Sequence, residues 1–338
     1  MSSLPLGIRL ATRVGPHPLT RITVAGLLAA LVLPAVGGAG GGYRYPRFQP
    51  VSIAFFDARH GVLAEDDWVC QKAHGCQGRL LATSNGGASW RVTHAGARGM
   101  HLYPVRGTQM VYAMTGDAML ESTDAGLHWQ RLGWGPAVVS FVTPAQGWRL
   151  GRVSTLAHPP PLSETRDGGR SWSTRVDPCR GDYGVPAALS FASKTRGWIV
   201  CNTQATAGYQ GKAVWTTTDG GAGWELRGRT HPIGPPEPKQ QVGNLPGYGY
   251  PTDATFLADG HGWVLQGRGD MLITADGGHT WQHSPLTKPD TIAAQSADLL
   301  GDRLGFVLLR GCTVRLVRTN LTTRAATTLK RWNSPTQC

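Results

Sequence analysis

Charged residues are scarce in this chain, and acidic residues are the scarcest. Its 338 residues include 33 Lys and Arg but only 21 Asp and Glu, and charged side chains make up 16% of the total. Such a low charge excludes a coiled coil and a charged disordered protein, and the lack of a Gly-X-Y period excludes collagen. With 46 Gly and 23 Pro, the composition also disfavours a helix-rich enzyme.

Runs of basic residues are absent as well. The formal net charge is +12, yet the Lys and Arg residues are spread along the sequence without a basic arm. Nucleic-acid binding usually leaves a clustered basic stripe. We therefore expect no nucleic-acid partner, and the remaining interpretations of the charge are an anionic membrane surface or an acidic partner.

The first 56 residues contain no Asp or Glu and resemble an export signal. Three arginines precede an apolar run over residues 22–36, and small residues follow at 37–42. The run is too short for a bilayer span, which needs about 20 residues. We predict a signal peptide over residues 1–39, with an N-terminal anchor as the alternative, and a linker over 40–50. The protein is thus expected outside the cytoplasm, either extracellular, periplasmic or attached to the cell envelope.

One eight-residue pattern occurs five times: Ser/Thr, any residue, Asp/Asn, two mostly Gly positions, two further residues and Trp. The spacings between successive Trp residues are 39, 43, 52 and 57, which is typical of a supersecondary repeat with variable loops. We interpret the Asp as a turn residue and the Trp as a core residue, not as catalytic groups. The pairs are Asn85 and Trp90, Asp124 and Trp129, Asp167 and Trp172, Asp219 and Trp224, and Asp276 and Trp281.

A second motif precedes the first, with an apolar residue six positions before a Gly that is often followed by Trp. Together the two motifs predict four short strands in each unit, labelled A to D, with the first motif at the C–D turn. Units of this kind bury both faces when they stack radially into a β-propeller. The apolar and Gly pairs are Phe55 and Gly61, Phe141 and Gly147, Phe191 and Gly197, Phe256 and Gly262, and Leu299 and Gly305.

The number of units follows from the spacing. A mean of about 48 residues divides residues 51–338 into six units. The second unit has Val111 and Tyr112 where Gly and Trp are expected, and the sixth has lost the eight-residue pattern after Thr319. We therefore predict an all-β, single-domain, six-bladed propeller over residues 51–338, with seven blades as the alternative.

The eight-residue pattern is similar to the Asp-box, or BNR repeat, of sialidases and sortilin-type receptors. Together with the Phe-x5-Gly-Trp strand pair, it most closely resembles the photosystem II stability and assembly factor family. This resemblance implies an exported seven-bladed scaffold that binds a nascent membrane protein through an Arg-rich face. It implies a thylakoid location only if the source is photosynthetic.

A sialidase or another glycan-active propeller is the alternative function. Residues 43–46, Tyr-Arg-Tyr-Pro, look like a sialidase motif, and Asp57 lies in a stretch like the one that carries the sialidase catalytic Asp. However, the repeat already accounts for residues 55–61. The chain also has only five Glu and lacks a convincing Tyr/Glu nucleophile pair. We expect no catalytic residue, no cofactor and no metal site, although glycan binding stays open.

In such a blade the A–B and C–D turns share one face, which we call the box face. The B–C loops and blade connections lie on the opposite loop face. Six cysteines in an exported protein are expected to form disulfides. On this register all six lie on the loop face, in the pairs Cys70 with Cys76, Cys179 with Cys201, and Cys312 with Cys338.

The same register places several arginines on the loop face, just beyond a strand B or in a blade connection. Arg is the side chain best suited to bidentate binding of a carboxylate. We therefore predict a monomeric, non-catalytic scaffold that binds a protein partner, such as a membrane protein or an acidic peptide segment. The candidate partner-binding residues are Arg152, Arg180, Arg268 and Arg310.

Overall fold

Antiparallel strands make up almost all of the regular structure in the computed structural model. All described residues belong to the compact unit Arg44–Cys338. Among them, no helix is long and apolar enough to cross a membrane. The structure describes residues 47–67, 77–96, 99–135, 137–151, 161–205, 209–230, 242–267, 270–288, 292–300, 304–320, 323 and 325–333.

The first three sheets each contain four consecutive strands in chain order. Each is an up-and-down meander, so a blade needs no strand from another part of the sequence. Blade 1 contains β1 Phe48–Phe55, β2 Gly61–Asp67, β3 Arg79–Thr83 and β4 Arg91–Ala95. Blade 2 contains β5 His101–Pro104, β6 Val111–Met114, β7 Met119–Ser122 and β8 Gln130–Arg131. Blade 3 contains β9 Ala137–Phe141, β10 Gly147–Gly151, β11 Ser163–Thr165 and β12 Ser173–Thr174.

Three further sheets repeat the same order after a 3-10 turn at Gly181–Tyr183. Blade 4 contains β13 Val185–Phe191, β14 Gly197–Asn202, β15 Lys212–Thr217 and β16 Glu225–Arg229. Blade 5 contains β17 Tyr250–Phe256, β18 Gly262–Gly267, β19 Asp270–Thr274 and β20 Gln282–His283. Blade 6 contains β21 Ala293–Leu299, β22 Leu304–Arg310, β23 Thr313–Asn320 and β24 Ala326–Asn333. The prediction of a six-bladed, all-β propeller is confirmed.

The first strands of successive blades contact one another, and β21 of blade 6 contacts β1 of blade 1, which closes the ring. Closure does not need a shared strand. The Phe55 N–H donates to Asp298 Oδ2 at 2.7 Å, and the Ile53 N–H donates to Ser296 Oγ at 3.1 Å. The Phe55 and Phe306 rings stack 3.6 Å apart, so the ring closes through the same kind of contact that joins other blades.

In every blade except the first, which has Val62 there, the residue after the Gly position of strand B is aromatic. Trp148 of blade 3 stacks on Phe191 of blade 4 with ring centroids 3.6 Å apart, and its Nε1 donates to Gly220 O at 2.9 Å. The indole therefore fills the core between blades without leaving its N–H unpaired. Equivalent stacks join Trp198 to Phe256 and Tyr112 to Phe141, so Tyr112 does replace the missing Trp of the second unit.

The Gly of the second motif is required by the ring that lies over it. A Cβ at Gly147 would lie 2.5 Å from the Phe141 ring, and a Cβ at Gly197 would lie 2.5 Å from the Phe191 ring. Blade 2 has Val111 at this position. The strand-A residue there is the smaller Val105, which leaves room for a side chain.

Each eight-residue motif forms one compact turn held by its own side chains. In the blade 3 motif, Thr165 Oγ1 donates to Asp167 Oδ1 at 2.8 Å, and the Ser171 N–H donates to the same oxygen at 2.9 Å. The Ser171 hydroxyl, which donates to Asp167 Oδ2 at 2.6 Å, together with these two bonds lowers the pKa of Asp167 to about 2. Asn85 makes the equivalent bonds in blade 1, at 3.0 and 2.9 Å. The motif is therefore explained by turn geometry, because an amide serves as well as a carboxylate.

The meander order places the blade connections and the B–C loops on one face, as expected. Cys179 follows β12, Cys201 lies in β14, and the two form a disulfide with a Cα–Cα distance of 5.3 Å. This pair confirms the prediction. Cys312 is also disulfide-bonded, but its predicted partner Cys338 lies outside the described residues, as do Cys70 and Cys76.

Candidate functional site

The described residues line two cavities of different character, a small one on the central axis and a larger groove at the outer edge of the ring. The central cavity has a volume of about 50 Å³ and is lined by the first strands of the blades. Small-molecule sites usually have volumes of about 300 Å³ or more, so the central cavity is much smaller than a typical ligand pocket.

Two side-chain contacts cross the central channel. His101 Nε2 of blade 2 lies 3.3 Å from Asp253 Oδ2 of blade 5, on the opposite side of the ring. Arg106, in the turn between β5 and β6 of blade 2, reaches Asp298 of blade 6, with 3.5 Å between Nη2 and Oδ1. These two carboxylates are thus already in contact with side chains of blade 2.

Asp298 is fully buried, and burial raises its pKa to about 6 against the opposing effect of Arg106. Its carboxyl group therefore favours the neutral form in the folded state more than in the unfolded chain. Asp298 therefore makes its full contribution to the free energy of unfolding below about pH 4, where its carboxyl group is neutral in both states. That contribution is lost as the pH rises through about 6.

We expect Asp298→Asn to raise the free energy of unfolding at pH 8 by about 2 kcal/mol, because it removes the cost of a buried charge. The amide oxygen can still accept the Phe55 N–H. Urea unfolding of both proteins between pH 4 and pH 8 would measure the effect. The two stabilities should converge near pH 4, and a constant difference across the range would contradict the assignment.

The sialidase-like Asp57 lies away from the channel. It occupies the turn between β1 and β2, where its Oδ1 accepts the N–H groups of Arg59 and His60 at 2.6 and 2.8 Å. Its Oδ2 pairs with the His60 ring at 2.8 Å. These bonds are those of a turn cap on the exposed box face.

A groove of about 880 Å³ lies at the outer edge of the ring, between blades 2 and 3. We call it the seam groove. One wall is the outer part of blade 2 and the connection that follows it. The other is the motif of blade 3 with the neighbouring turn. The lining residues are Glu121, Gln130, Leu132, Gly133, Trp134, Pro144, Ala145, Arg149, Asp167, Gly168, Gly169, Arg170 and Trp172.

Strand D forms only a short part of the blade 2 wall. The strand β8 has two residues, as do β12 and β20, and the chain then turns across to blade 3. Trp134 from this connection packs against the blade 3 motif, with its ring 5.5 Å from that of Trp172 and almost perpendicular to it. These two half-buried indoles form the apolar part of the groove.

Arg149 is the unusual charge in this groove. Its guanidinium lies 4.2 Å from the centre of the Trp172 ring and 5.9 Å from that of Trp134. It is half-buried, and burial lowers its pKa. Within the described part of the chain it has no hydrogen bond or ion pair. Stacking holds the plane of the group and leaves its N–H edges available to an anion.

The other blades provide an internal control for Arg149, which directly follows the inter-blade aromatic residue of strand B. The same position is aliphatic in all other blades. A positive charge here is therefore a departure from the repeat, because the fold itself is satisfied by an apolar side chain. The equivalent residues are Leu63, Ala113, Ile199, Val264 and Val307.

Glu121 stands on the opposite wall of the groove. It faces Tyr112 across the strand pair β6–β7, and burial together with Glu121 raises the pKa of the Tyr112 hydroxyl. The charged side chains that line the groove are Arg149, Arg170, Glu121 and Asp167, two of each sign. The Asp167 carboxylate is held by its own turn, so Arg149 is the charge in the lining that is stacked on aromatic rings without a carboxylate partner among the described residues.

The four arginines predicted to bind a partner do not form a described site. Arg152 and Arg268 lie outside the described residues. Arg180 is exposed in the connection between blades 3 and 4, and its Nε donates to Asp177 O at 2.9 Å. Arg310 of blade 6 is half-buried and donates to Gln295 Oε1 at 2.9 Å. Arg180 and Arg310 belong to separate parts of the ring, so their joint role stays a prediction.

Metal ligands are also not assembled in the described residues, which contain no group of three or more His, Cys, Asp or Glu suited to hold an ion. Exposed histidines pair singly with acidic neighbours in turns. His128 Nδ1, for example, lies 2.5 Å from Asp124 Oδ2 in the blade 2 motif.

No known protein family matches the sequence, and no curated protein matches it. Solved structures with a similar fold include YCF48 bound to a D1 peptide, with 15% identity and a TM-score of 0.46, covering 84% of this chain and 85% of that one. YCF48 from Cyanidioschyzon merolae has 19% identity and a TM-score of 0.46, covering 78% and 92%. A GH74 xyloglucanase from Xanthomonas campestris has 15% identity and a TM-score of 0.46, covering 80% and 45%. At these values the similarities say nothing about function.

Proposed function

We propose that this protein is a propeller scaffold that binds a segment of a partner protein in the seam groove. The open groove carries the proposal, because its half-buried Arg149 has no hydrogen bond or ion pair within the described part of the chain. A ligand carboxylate would supply a bidentate counter-ion to a guanidinium that stacking already orients. The central channel is small, and its Asp253 and Asp298 carboxylates already contact His101 and Arg106. This favours a binding site at the edge of the ring over a site in the central channel.

An exported location fits this role. Cys179 and Cys201 form a disulfide, and Cys312 is also disulfide-bonded, which is typical of oxidising compartments. The leader-like residues 1–39 support the same proposal. On the resemblance to photosystem II assembly factors, we further propose that the bound partner is a membrane protein and that the scaffold assists assembly of a larger complex.

Site-specific crosslinking in the cells of origin tests the proposal. A photoreactive residue at Gln130, which is exposed and lines the groove, is expected to yield a covalent adduct with another protein. Arg91 is the matched control, because it is exposed and occupies the same place after the motif Trp in blade 1. Absence of an adduct at Gln130, or equal adducts at both positions, would refute the scaffold role of this groove.

A further inference from the structure

The chain itself shows what can lie across a seam between two blades. Residues 242–249, which we call the strap, cross the outer seam between blades 4 and 5. Val242 and Arg229 exchange two backbone hydrogen bonds of 2.9 Å, so the strap begins as a bridge on the edge of β16. A short segment of chain, bridged to the edge strand at Val242 and turning at Gly243, therefore occupies such a seam in this fold.

Side chains then fix the strap on blade 5. Asn244 Nδ2 donates to Trp281 O at 2.9 Å, and the Trp281 N–H donates to Asn244 Oδ1 at 2.7 Å. Leu245 is 2% exposed and joins the core cluster that contains Trp281. The strap therefore combines backbone pairing, an amide that caps the motif Trp, and one buried aliphatic anchor.

A buried ammonium holds the end of the strap. Lys212 is fully buried, and its Nζ donates to the carbonyl oxygens of Pro246 at 3.0 Å and Tyr248 at 2.7 Å. The Tyr248 hydroxyl donates to Asp270 Oδ2 at 2.6 Å. A segment bound in this way is part of the fold, so the seam between blades 4 and 5 has its own occupant.

The repeat relates the strap contacts to the seam groove position by position. Counting from the motif Trp, Arg229, His279 and Trp281 correspond to Trp134, Arg170 and Trp172. All three of the latter line the seam groove. Blades 2 and 3 are joined by a short connection that includes Trp134 and supplies no equivalent strap.

The Arg149 guanidinium selects the occupant. Arg149 replaces Val264 and Arg170 replaces His279 of the strapped seam, while Trp134 replaces Arg229. The positive charge is thus placed at a strand-B position that is aliphatic in the strapped seam. The chain's own residues 1–46 contain no acidic side chain and do not match this charge. An indole stacking platform for a saccharide is also reduced, because the Arg149 guanidinium covers one face of Trp172.

We propose that the seam groove binds an acidic peptide segment of a partner protein, which crosses blades 2 and 3 as the strap crosses blades 4 and 5, with a carboxylate at Arg149. The inference rests on the proposed scaffold function and specifies its ligand. Peptide backbone along the edge of β8 gives affinity, while the Arg149 guanidinium gives selectivity for Asp or Glu.

A displayed library of random 12-residue peptides, panned on the full chain, tests this proposal. We expect enrichment of peptides with Asp or Glu next to an apolar residue. For a synthetic copy of the enriched peptide, Arg149→Leu should raise the Kd at least about tenfold, as expected for loss of a charge-assisted bidentate contact. Arg149→Lys should recover only part of the affinity, because an ammonium lacks the planar fork.

The controls separate a binding defect from misfolding. Leu63 occupies the position of Arg149 in blade 1, so Arg149→Leu introduces a residue type that the fold accepts and should unfold with an unchanged midpoint. Arg91→Leu removes an exposed arginine on the edge of blade 1 and should leave the Kd within about twofold, as for other surface charges.

Three results would overturn the inference: no enrichment, enrichment without acidic residues, or equal affinity for Arg149→Leu. Binding of heparin that depends on Arg149, without peptide binding, would assign the groove to a sulfated polysaccharide instead. The Gln130 crosslink distinguishes failure of the acidic-peptide inference from failure of the proposed scaffold function. A protein adduct at Gln130 together with a Kd insensitive to Arg149 would sink the acidic-peptide inference and leave the scaffold function intact.

Discussion

Replacing Trp148 by alanine is expected to lower the free energy of unfolding by about 4 kcal/mol, the usual cost of removing a buried Trp. Trp148 is fully buried between blades 3 and 4 and stacks on Phe191 at 3.6 Å. Its loss also leaves the Gly220 carbonyl without the Nε1 donor. Urea unfolding followed by far-UV circular dichroism would measure the change.

Trp148→Phe is the matched variant for this experiment. Blade 6 already has Phe306 at the equivalent position, stacked on Phe55, so a phenyl ring satisfies the stack. We expect a loss of about 1 to 2 kcal/mol, mainly from the unpaired Gly220 carbonyl and the smaller ring. If the alanine and phenylalanine variants were equally stable, inter-blade stacking would not be the dominant contribution of this residue.

Removing the Cys179–Cys201 disulfide is expected to cost about 3 kcal/mol, because the bond closes a loop in the unfolded chain. The two residues are 22 positions apart and nearly fully buried. The bond ties the connection after blade 3 to strand β14 of blade 4. The double variant Cys179→Ala with Cys201→Ala, which has no unpaired thiol at these positions, should unfold at correspondingly lower urea concentration.

The same pairing is open to a direct chemical check. Peptide mapping of the unreduced protein should recover a peptide containing Cys179 linked to one containing Cys201. It would also test the pairs Cys70 with Cys76 and Cys312 with Cys338, which stay predictions. A link from Cys179 to a cysteine of another blade would contradict the described register.

The fold could be predicted from the sequence because four of the six blades repeat both spaced motifs and the other two keep one of them. The Asp and Trp of the motif lie within eight residues of the same turn. Their roles as a turn residue and a core residue can therefore be predicted from the local sequence. The spacing from Phe191 to Gly197 also had a local cause, since a Cβ at Gly197 would overlap the ring. Even the imperfect second unit was interpretable, because Tyr112 preserved the aromatic character of its position.

The candidate site was much less accessible from sequence. The blade register predicted partner-binding arginines on the loop face, whereas the groove lies beside the eight-residue motif of blade 3. Trp134 belongs to neither motif, and the local sequence around β8 does not predict an open groove between the blades. Arg149 did leave a signal: it is the one charged residue in a column that is otherwise aliphatic, and aligning the strand-B positions of the repeat finds it.

The repeat spacing by itself determined a ring of six similar sheets, since hydrophobic periodicity and turn chemistry act over a few residues and recur in every unit. Only the tertiary structure decided which seams are filled. That depends on contacts between residues far apart in the chain, as when Asn244 caps Trp281 and closes one seam. Between blades 2 and 3 no such segment reaches across among the residues that the structure describes, so the same architecture leaves a charged, aromatic groove there.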